Sequence, residues 1–137
     1  MEWLKAVAML VGRILLVLIF FKSGIGKIEN FSGTAQYMAK AGMTLYTSLF
    51  LLGAIFIEVV GSITVILGFL TRVGTALLLI FLIPTTLIFH GNFADRGQMI
   101  HFMKNVSMFG GLLVLLAVGP GQLSLDRLFG GRKRRKR

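Results

Sequence analysis

The stretches AVAMLVGRILLVLIFF (residues 6–21) and SLFLLGAIFIEVVGSITVILGFL (residues 48–70) decide the fold of this chain. Each is long and apolar, and each contains one charged residue, Arg13 in the first and Glu58 in the second. A charge at the centre of a bilayer costs about 2.5–3.5 kcal/mol, so such residues usually face the interior of a helix bundle and a partner. The opposite signs therefore predict a buried ion pair between Arg13 and Glu58.

The composition of the whole chain is that of an integral membrane protein. Its 137 residues are 55% hydrophobic and include only five acidic residues. About 20 apolar residues cross a bilayer, and four stretches reach or approach that length, at about residues 4–24, 48–70, 73–90 and 102–118. The first is too long for a secretory signal and lacks a clear cleavage site, so we expect it to be retained. The predicted fold class is an all-α membrane protein with a bundle of four transmembrane helices.

Two further divisions of the chain follow from local patterns. Residues 1–129 form one membrane domain, and residues 130–137 form a basic tail that begins with a Gly130–Gly131 hinge. Between the first two spans, Asn30 can cap a short helix over Gly33–Ala41, and Gly42 suits its end. The apolar side of this short helix predicts that it lies on the membrane interface. After the fourth span, residues 123–129 are predicted to form an interfacial turn.

The distribution of basic residues predicts the orientation. With four spans both termini lie on one side, which carries nine of the fifteen basic residues against five on the other. The positive-inside rule then places both termini in the cytoplasm and the short helix outside. Six of the nine form the tail: Arg132, Lys133, Arg134, Arg135, Lys136 and Arg137. Next to a membrane span, we expect this run to contact anionic lipid headgroups and fix the topology rather than to bind nucleic acid.

Helix geometry is consistent with the Arg13–Glu58 pair. At 1.5 Å per residue, Arg13 lies roughly 14 Å above Leu4, and Glu58 lies roughly 18 Å above Leu70 at the same edge. At 3.6 residues per turn, each charge also shares a stripe with other residues, and those on the Glu58 stripe are mostly small, so Glu58 is expected to face the bundle. These positions are Ala6, Val17, Phe20 and Gly24 for Arg13, and Ala54, Gly61, Val65 and Gly68 for Glu58. The pair is either a structural lock between two helices or a functional carboxylate tuned by its partner.

A second polar cluster is predicted at the outward ends of the helices. It contains His90, Lys104, Asn105 and Lys27 as candidate ligand contacts. A histidine such as His90 can exchange protons near neutral pH. His101 is expected to be a solvated residue at the membrane interface. Two histidines without a third ligand predict no metal site. The absence of cysteine excludes thiolate nucleophiles and iron–sulfur clusters.

Several segments together resemble the DoxX family of small bacterial membrane proteins. They are RILLVLIFFKSGIGKIENF (13–31), IEVVGSITVILGFLTRVG (57–74), FHGNF (89–93), FMKN (102–105) and GPGQLSLDRL (119–128). The resemblance covers nearly the whole chain, in order, and leaves out only the basic tail. It implies a multi-pass, four-helix protein of the bacterial inner membrane.

The resemblance also implies a redox setting. The family name comes from small subunits of a thiosulfate:quinone oxidoreductase and a terminal quinol oxidase, and some members accompany a superoxide dismutase and a sulfurtransferase. The leading hypothesis is therefore a membrane subunit or partner of a quinone-linked or redox-stress oxidoreductase. His90 and Lys104, with Asn105 and Lys27 nearby, would contact the quinone. Electrons would come from a soluble oxidoreductase, because the chain has no evident redox centre of its own.

Two other functions stay open at this stage. The protein could be a non-catalytic scaffold or assembly factor that holds a soluble partner at the membrane. It could also be a small-solute carrier, although four spans are few for a monomer and a homo-oligomer would then be required. The sequence does not decide whether the protein is an enzyme.

Overall fold

The structure is a computed structural model that describes residues 1–134. Those residues form six α-helices joined by turns and short loops. The helices are α1 (Glu2–Glu29), α2 (Phe31–Lys40), α3 (Thr47–Leu67), α4 (Thr71–Phe89), α5 (Arg96–Val118) and α6 (Leu125–Arg134). Helices α1, α3, α4 and α5 are long and apolar enough to cross a membrane, which confirms the four-helix transmembrane prediction.

The short helix between the first two spans also forms where it was predicted. The side chain of Asn30 accepts a hydrogen bond from the amide of Gly33 at 3.3 Å and so caps the start of α2. After α2, Gly42 adopts a φ of +95°, a conformation that glycine adopts without strain. A cap and a glycine stop thus bound this ten-residue helix.

Two spans are longer than the sequence pattern predicted. Helix α1 contains 28 residues and continues beyond Gly24 to Glu29. Helix α5 begins at Arg96 rather than near residue 102, because the Asp95 side chain accepts a hydrogen bond from the amide of Gly97 at 2.8 Å. Polar residues therefore form the ends of both helices, where hydropathy alone does not detect them.

The four long helices pack antiparallel in a fixed order, α1 on α3, α3 on α4, and α4 on α5. We call the end at which α1 begins and α6 lies the terminal end, and the opposite end the α2 end. The core contains Val17, Phe20, Val65, Leu78 and Leu112. The buried residues of α1 are Ala6, Arg13, Val17, Phe20 and Gly24, which is the stripe that helical periodicity predicted.

Glycines bring α3 and α4 together in the half of the bundle nearest the terminal end. A Cβ at Gly74 would clash with Thr64 Oγ1 and would lie 2.9 Å from the carbonyl oxygen of Gly61. Membrane helices approach closely where such small residues face each other. This contact fixes where α3 and α4 cross.

The final helix, α6, is held against the α3–α4 turn by Asp126. Its carboxylate accepts hydrogen bonds from the amide of Leu70 at 2.7 Å, the amide of Thr71 at 3.0 Å and the hydroxyl of Thr71 at 2.9 Å. These amides lie at the N-terminus of α4, where a negative charge is favourable. The segment predicted as an interfacial turn instead becomes a helix from Leu125, and this helix continues through Gly130, so the predicted hinge is wrong.

The pKa of Asp126 makes the docking of α6 sensitive to acid. Burial alone would raise this pKa, but the hydrogen bonds from Thr71 and Leu70 and the charge of Arg13 lower it below its ordinary value. The carboxylate therefore stabilises the fold above the unfolded pKa of about 3.9, and this contribution is lost as the pH falls through the lower folded pKa. We expect the melting temperature to decline below about pH 4, and Asp126→Asn to lower it at neutral pH and flatten the decline.

The control for this experiment is Asp95→Asn, which removes a carboxylate at the N-terminus of α5, keeps a capping side chain there and leaves Asp126 in place. Thermal unfolding in detergent between pH 2 and pH 7 should show the full acid decline in that variant. An unchanged acid decline in Asp126→Asn would contradict the role given to this carboxylate.

Candidate functional site

The two intramembrane charges are both buried, each with 3% of its surface exposed, but they do not form a pair. Arg13 donates hydrogen bonds to backbone carbonyls instead. Its Nη2 donates to Leu123 at 2.7 Å and to Ile66 at 3.3 Å, and its Nη1 donates to the carbonyl of Pro120. The predicted Arg13–Glu58 ion pair is therefore wrong.

The register of α1 against α3 explains why Arg13 and Glu58 do not contact each other. Arg13 lies beside Ile66, whereas a Cβ at Gly24 would lie 3.2 Å from the Cβ of Glu58. Eight residues separate Ile66 from Glu58, which is about 12 Å along a helix. Counting depth from Leu4 placed Arg13 too deep, because α1 has 28 residues and is longer than one membrane crossing.

The partner of Glu58 is Lys27. The Lys27 Nζ lies 2.8 Å from Oε2 of Glu58 and donates a hydrogen bond to Oε1 at 3.0 Å. The same Nζ donates to the hydroxyl of Ser23 at 2.6 Å. The Glu58 side chain is 4% exposed and that of Lys27 is 22% exposed, so this ion pair is largely removed from solvent.

Lys27 belongs to the stripe that contains Arg13, and sequence reasoning could have found it as the partner of Glu58. The stripe runs through Val17, Phe20 and Gly24, and three further residues lead to Lys27. The apolar stretch ends at Gly24, and hydropathy alone gives no sign that the helix continues to Lys27. Extending the helix by one turn would have directed Lys27 toward the bundle interior.

A cavity of about 700 Å³ lies in the half of the bundle nearest the α2 end. Residues of α1, α3, α4 and α5 form its walls, and Tyr37 and Met38 of α2 form part of its roof. Most of its lining is apolar. The Lys27–Glu58 pair lies in the wall, so the cavity combines a large apolar volume with one strongly polar region.

The four candidate ligand contacts all line this one cavity. They are His90, Lys104, Asn105 and Lys27. The structure therefore brings together residues from α1, from α5 and from the end of α4, and it adds Glu58 of α3 to them. Arg13, by contrast, lies at the other end of the bundle and belongs to the α6 docking region.

The histidines at the cavity are held by specific contacts. The Nδ1 of His90 lies 2.7 Å from Oε1 of Gln98, and with that assignment Nδ1 carries the proton. The ring of His101 stacks on that of His90 with centroids 5.1 Å apart. His101 is exposed, as expected for an interfacial residue, but it also lines the cavity.

Asn105 is held by a contact that the sequence pattern did not reveal. Its Nδ2 donates a hydrogen bond to the hydroxyl of Thr86 at 3.0 Å, across the α4–α5 contact. Both side chains are buried. The bond fixes the Asn105 side chain on the cavity wall, and its Oδ1 stays available as an acceptor.

The chemistry of the cavity wall is that of proton donors and acceptors. In the part of the chain that the structure describes, no group of three His, Cys, Asp or Glu side chains is placed to hold a metal ion. An amphipathic organic ligand suits the cavity best.

The predicted lipid contacts of the basic tail lie outside the residues whose side chains are described. They are those of Arg132, Lys133, Arg134, Arg135, Lys136 and Arg137.

Comparison with known proteins gives one family and two curated relatives. The DoxX family model matches residues 8–91. The inner membrane protein YqjF of Escherichia coli K12 is 39% identical over 128 residues, which cover 93% of this chain and 96% of YqjF. The inner membrane protein YphA of the same organism is also 39% identical, over 90% of this chain and 91% of YphA. No solved structure matches the chain.

Proposed function

Because this inner-membrane chain belongs to the DoxX family, we propose that it is the quinone-binding membrane subunit of a redox system. The cavity at the α2 end is the binding site in this proposal. A soluble oxidoreductase is the proposed source of electrons. The observation that supports the proposal best is the position of the Lys27–Glu58 ion pair in the wall of an apolar cavity of about 700 Å³.

The residues of the cavity fit a quinone ring. The two carbonyl oxygens of such a ring accept hydrogen bonds, and the ammonium groups of Lys27 and Lys104 are donors. The hydroxyls of the reduced ring are donors, and Nε2 of His90 is an acceptor when Gln98 holds the proton on Nδ1. The wall therefore offers partners for both oxidation states.

Glu58 has a second feature that fits this ligand. Its Oε2 is buried and, among the described residues, receives no hydrogen bond of good geometry, although Lys27 lies 2.8 Å away. This oxygen is paired with the ammonium group by charge, and a carboxylate oxygen can accept more than one hydrogen bond. A hydroxyl of a reduced ring could donate to it.

A bound quinone supplies two-electron, two-proton chemistry, and the protein groups manage the protons. Reduction of the ring by two electrons takes up two protons, and Glu58, His90 and His101 are the side chains of the lining that could pass protons to it. Lys27 holds the Glu58 carboxylate in place, with its Nζ 2.8 Å from Oε2. We also propose that both termini are cytoplasmic, because nine basic residues lie on that side, so the cavity is near the outer face.

The direct test is binding of a quinone analogue to the purified full-length protein in lipid nanodiscs. We expect saturable binding of a decyl-substituted benzoquinone in excess of that to empty nanodiscs. His90→Ala and Lys104→Met should each weaken binding about tenfold, the effect of one lost hydrogen bond to a ligand. The matched control is Lys40→Met, which changes an exposed lysine outside the cavity. If the intact protein does not bind, the proposed function is wrong.

A further inference from the structure

The cavity has an opening in its side, between α3 and α4. The two helices touch at Gly61 and Gly74, toward the terminal end. Nearer the α2 end, residues of both helices line the cavity, among them Ile57 of α3 and Phe81 of α4. The close glycine contact and the cavity beyond it are consistent with a gap between the two helices that widens toward the α2 end.

Several of the residues that line the cavity are also exposed on the outer surface of the bundle. Four of them, Leu49 and Gly53 of α3 and Pro84 and Ile88 of α4, form what we call the side opening. Leu49 is 66% exposed and Ile88 is 46% exposed. A Cβ built at Gly53 would meet no atom within 4 Å. The space beside Gly53 is therefore continuous with both the cavity and the surface.

Helical geometry places the side opening on the flank of the α3–α4 contact. At 100° per residue, Gly53 lies within about 20° of Thr64, which faces Gly74 on α4. All four residues of the side opening lie in helices that can cross the membrane. The opening therefore faces the acyl chains of the lipids, and a hydrocarbon chain can pack against its apolar residues.

We propose that the ligand is an amphiphile whose polar ring lies against Lys27 and Glu58 and whose apolar tail leaves through the side opening into the bilayer. This inference rests on the proposed function and specifies its substrate class: quinones that carry a long hydrocarbon tail. The ligand reaches the cavity from the membrane. At the α2 end, Tyr37 and Met38 line the cavity, and Tyr37 stacks on Phe89 with ring centroids 5.5 Å apart.

A second gap, between α1 and α5, is less suited to a hydrocarbon tail. These helices meet at Leu16 and Gly111, and the cavity extends between them at Ile19 and Lys104. The ammonium group of Lys104 places a charge at that gap. The side opening contains only apolar residues, so it is the better exit for a tail.

The test uses the full-length protein in nanodiscs and two probes that share one benzoquinone ring, with and without a decyl tail. In the wild type the tail should strengthen binding, after subtraction of empty nanodiscs. Gly53→Leu fills the side opening without a clash and should weaken binding of the tailed probe about tenfold, because a few buried methylene groups have that effect. The ring without a tail should bind within about twofold of the wild type.

The matched control is Gly110→Leu, which adds the same side chain to α5 at a glycine that also has no neighbour within 4 Å and lies outside the cavity. It should change neither affinity. If Gly53→Leu affects both probes equally or neither, the side opening is not the tail exit, while ring binding would still support the proposed function. Loss of the tail effect through Ile19→Trp instead would also overturn the inference. No binding of either probe to the wild type would overturn both proposals.

Discussion

Replacement of Lys27 by methionine is expected to lower the free energy of unfolding by about 3 kcal/mol. The change leaves the Glu58 carboxylate, with 4% of its side chain exposed, without its cationic partner. An unpaired charge in this setting is far more costly than the loss of the pair as a whole. The double variant Lys27→Met/Glu58→Gln should recover most of the loss, to within about 1 kcal/mol of the wild type. Unfolding by denaturant in detergent micelles measures both.

The control for this prediction is Lys22→Met. Lys22 is an exposed lysine of the same helix, five residues before Lys27, and it does not line the cavity. We expect its stability to change by less than about 0.5 kcal/mol. Equal effects of the two lysine variants, or no recovery in the double variant, would show that Lys27 and Glu58 are not energetically coupled.

Arg13→Met should have an effect of similar size through a different mechanism. Its guanidinium is the hydrogen-bond donor for three backbone carbonyls, those of Pro120, Leu123 and Ile66. The variant leaves these acceptors without their donor, at about 1–3 kcal/mol for each that stays buried. We expect a loss of about 3–5 kcal/mol in unfolding free energy and faster trypsin cleavage after Arg127, because the segment that leads into α6 is no longer held by Arg13.

The comparison for this prediction is Arg72→Met. Arg72 also reaches a backbone carbonyl, that of Ala117, but at 3.4 Å and from an exposed position. Its removal should have little effect on stability. A double-mutant cycle adds a sharper criterion: Arg13→Met and Glu58→Gln should be additive, whereas Lys27→Met and Glu58→Gln should not. Coupling between Arg13 and Glu58 would contradict the contacts described above.

Helical periodicity predicted the faces of the helices but not which residues meet. The stripe through Arg13, Val17 and Gly24 is buried as expected, because the side of a helix that faces the core depends only on local spacing. The level at which two stripes meet depends on where each helix begins. Helix α1 starts at Glu2 and has 28 residues, more than one straight crossing of the membrane needs, so it must tilt or extend beyond the membrane. Its sequence therefore does not show at which depth each residue lies.

The sequence predicts part of the candidate site, because position along a helix is local information. His90, Lys104, Asn105 and Lys27 lie at the same end of their helices, and all four line the cavity. Glu58 also lines it, although its place in the middle of a span does not predict this. Its inclusion, like the attachment of Arg13 to carbonyls 107 and 110 residues away, depends on tertiary packing that no local pattern encodes.

The long sequence separation of the Arg13 contacts has a consequence for biogenesis. Two of its three acceptors belong to Pro120 and Leu123, which leave the ribosome long after the first helix does. At about 5–20 residues per second, the intervening 107 residues take roughly 5–20 s to synthesise. During that interval the nascent first helix contains an arginine whose final acceptors do not yet exist. The bundle is therefore completed by its C-terminal segment, and a chain truncated before Pro120 would be left with a charged first helix and an unfinished fold.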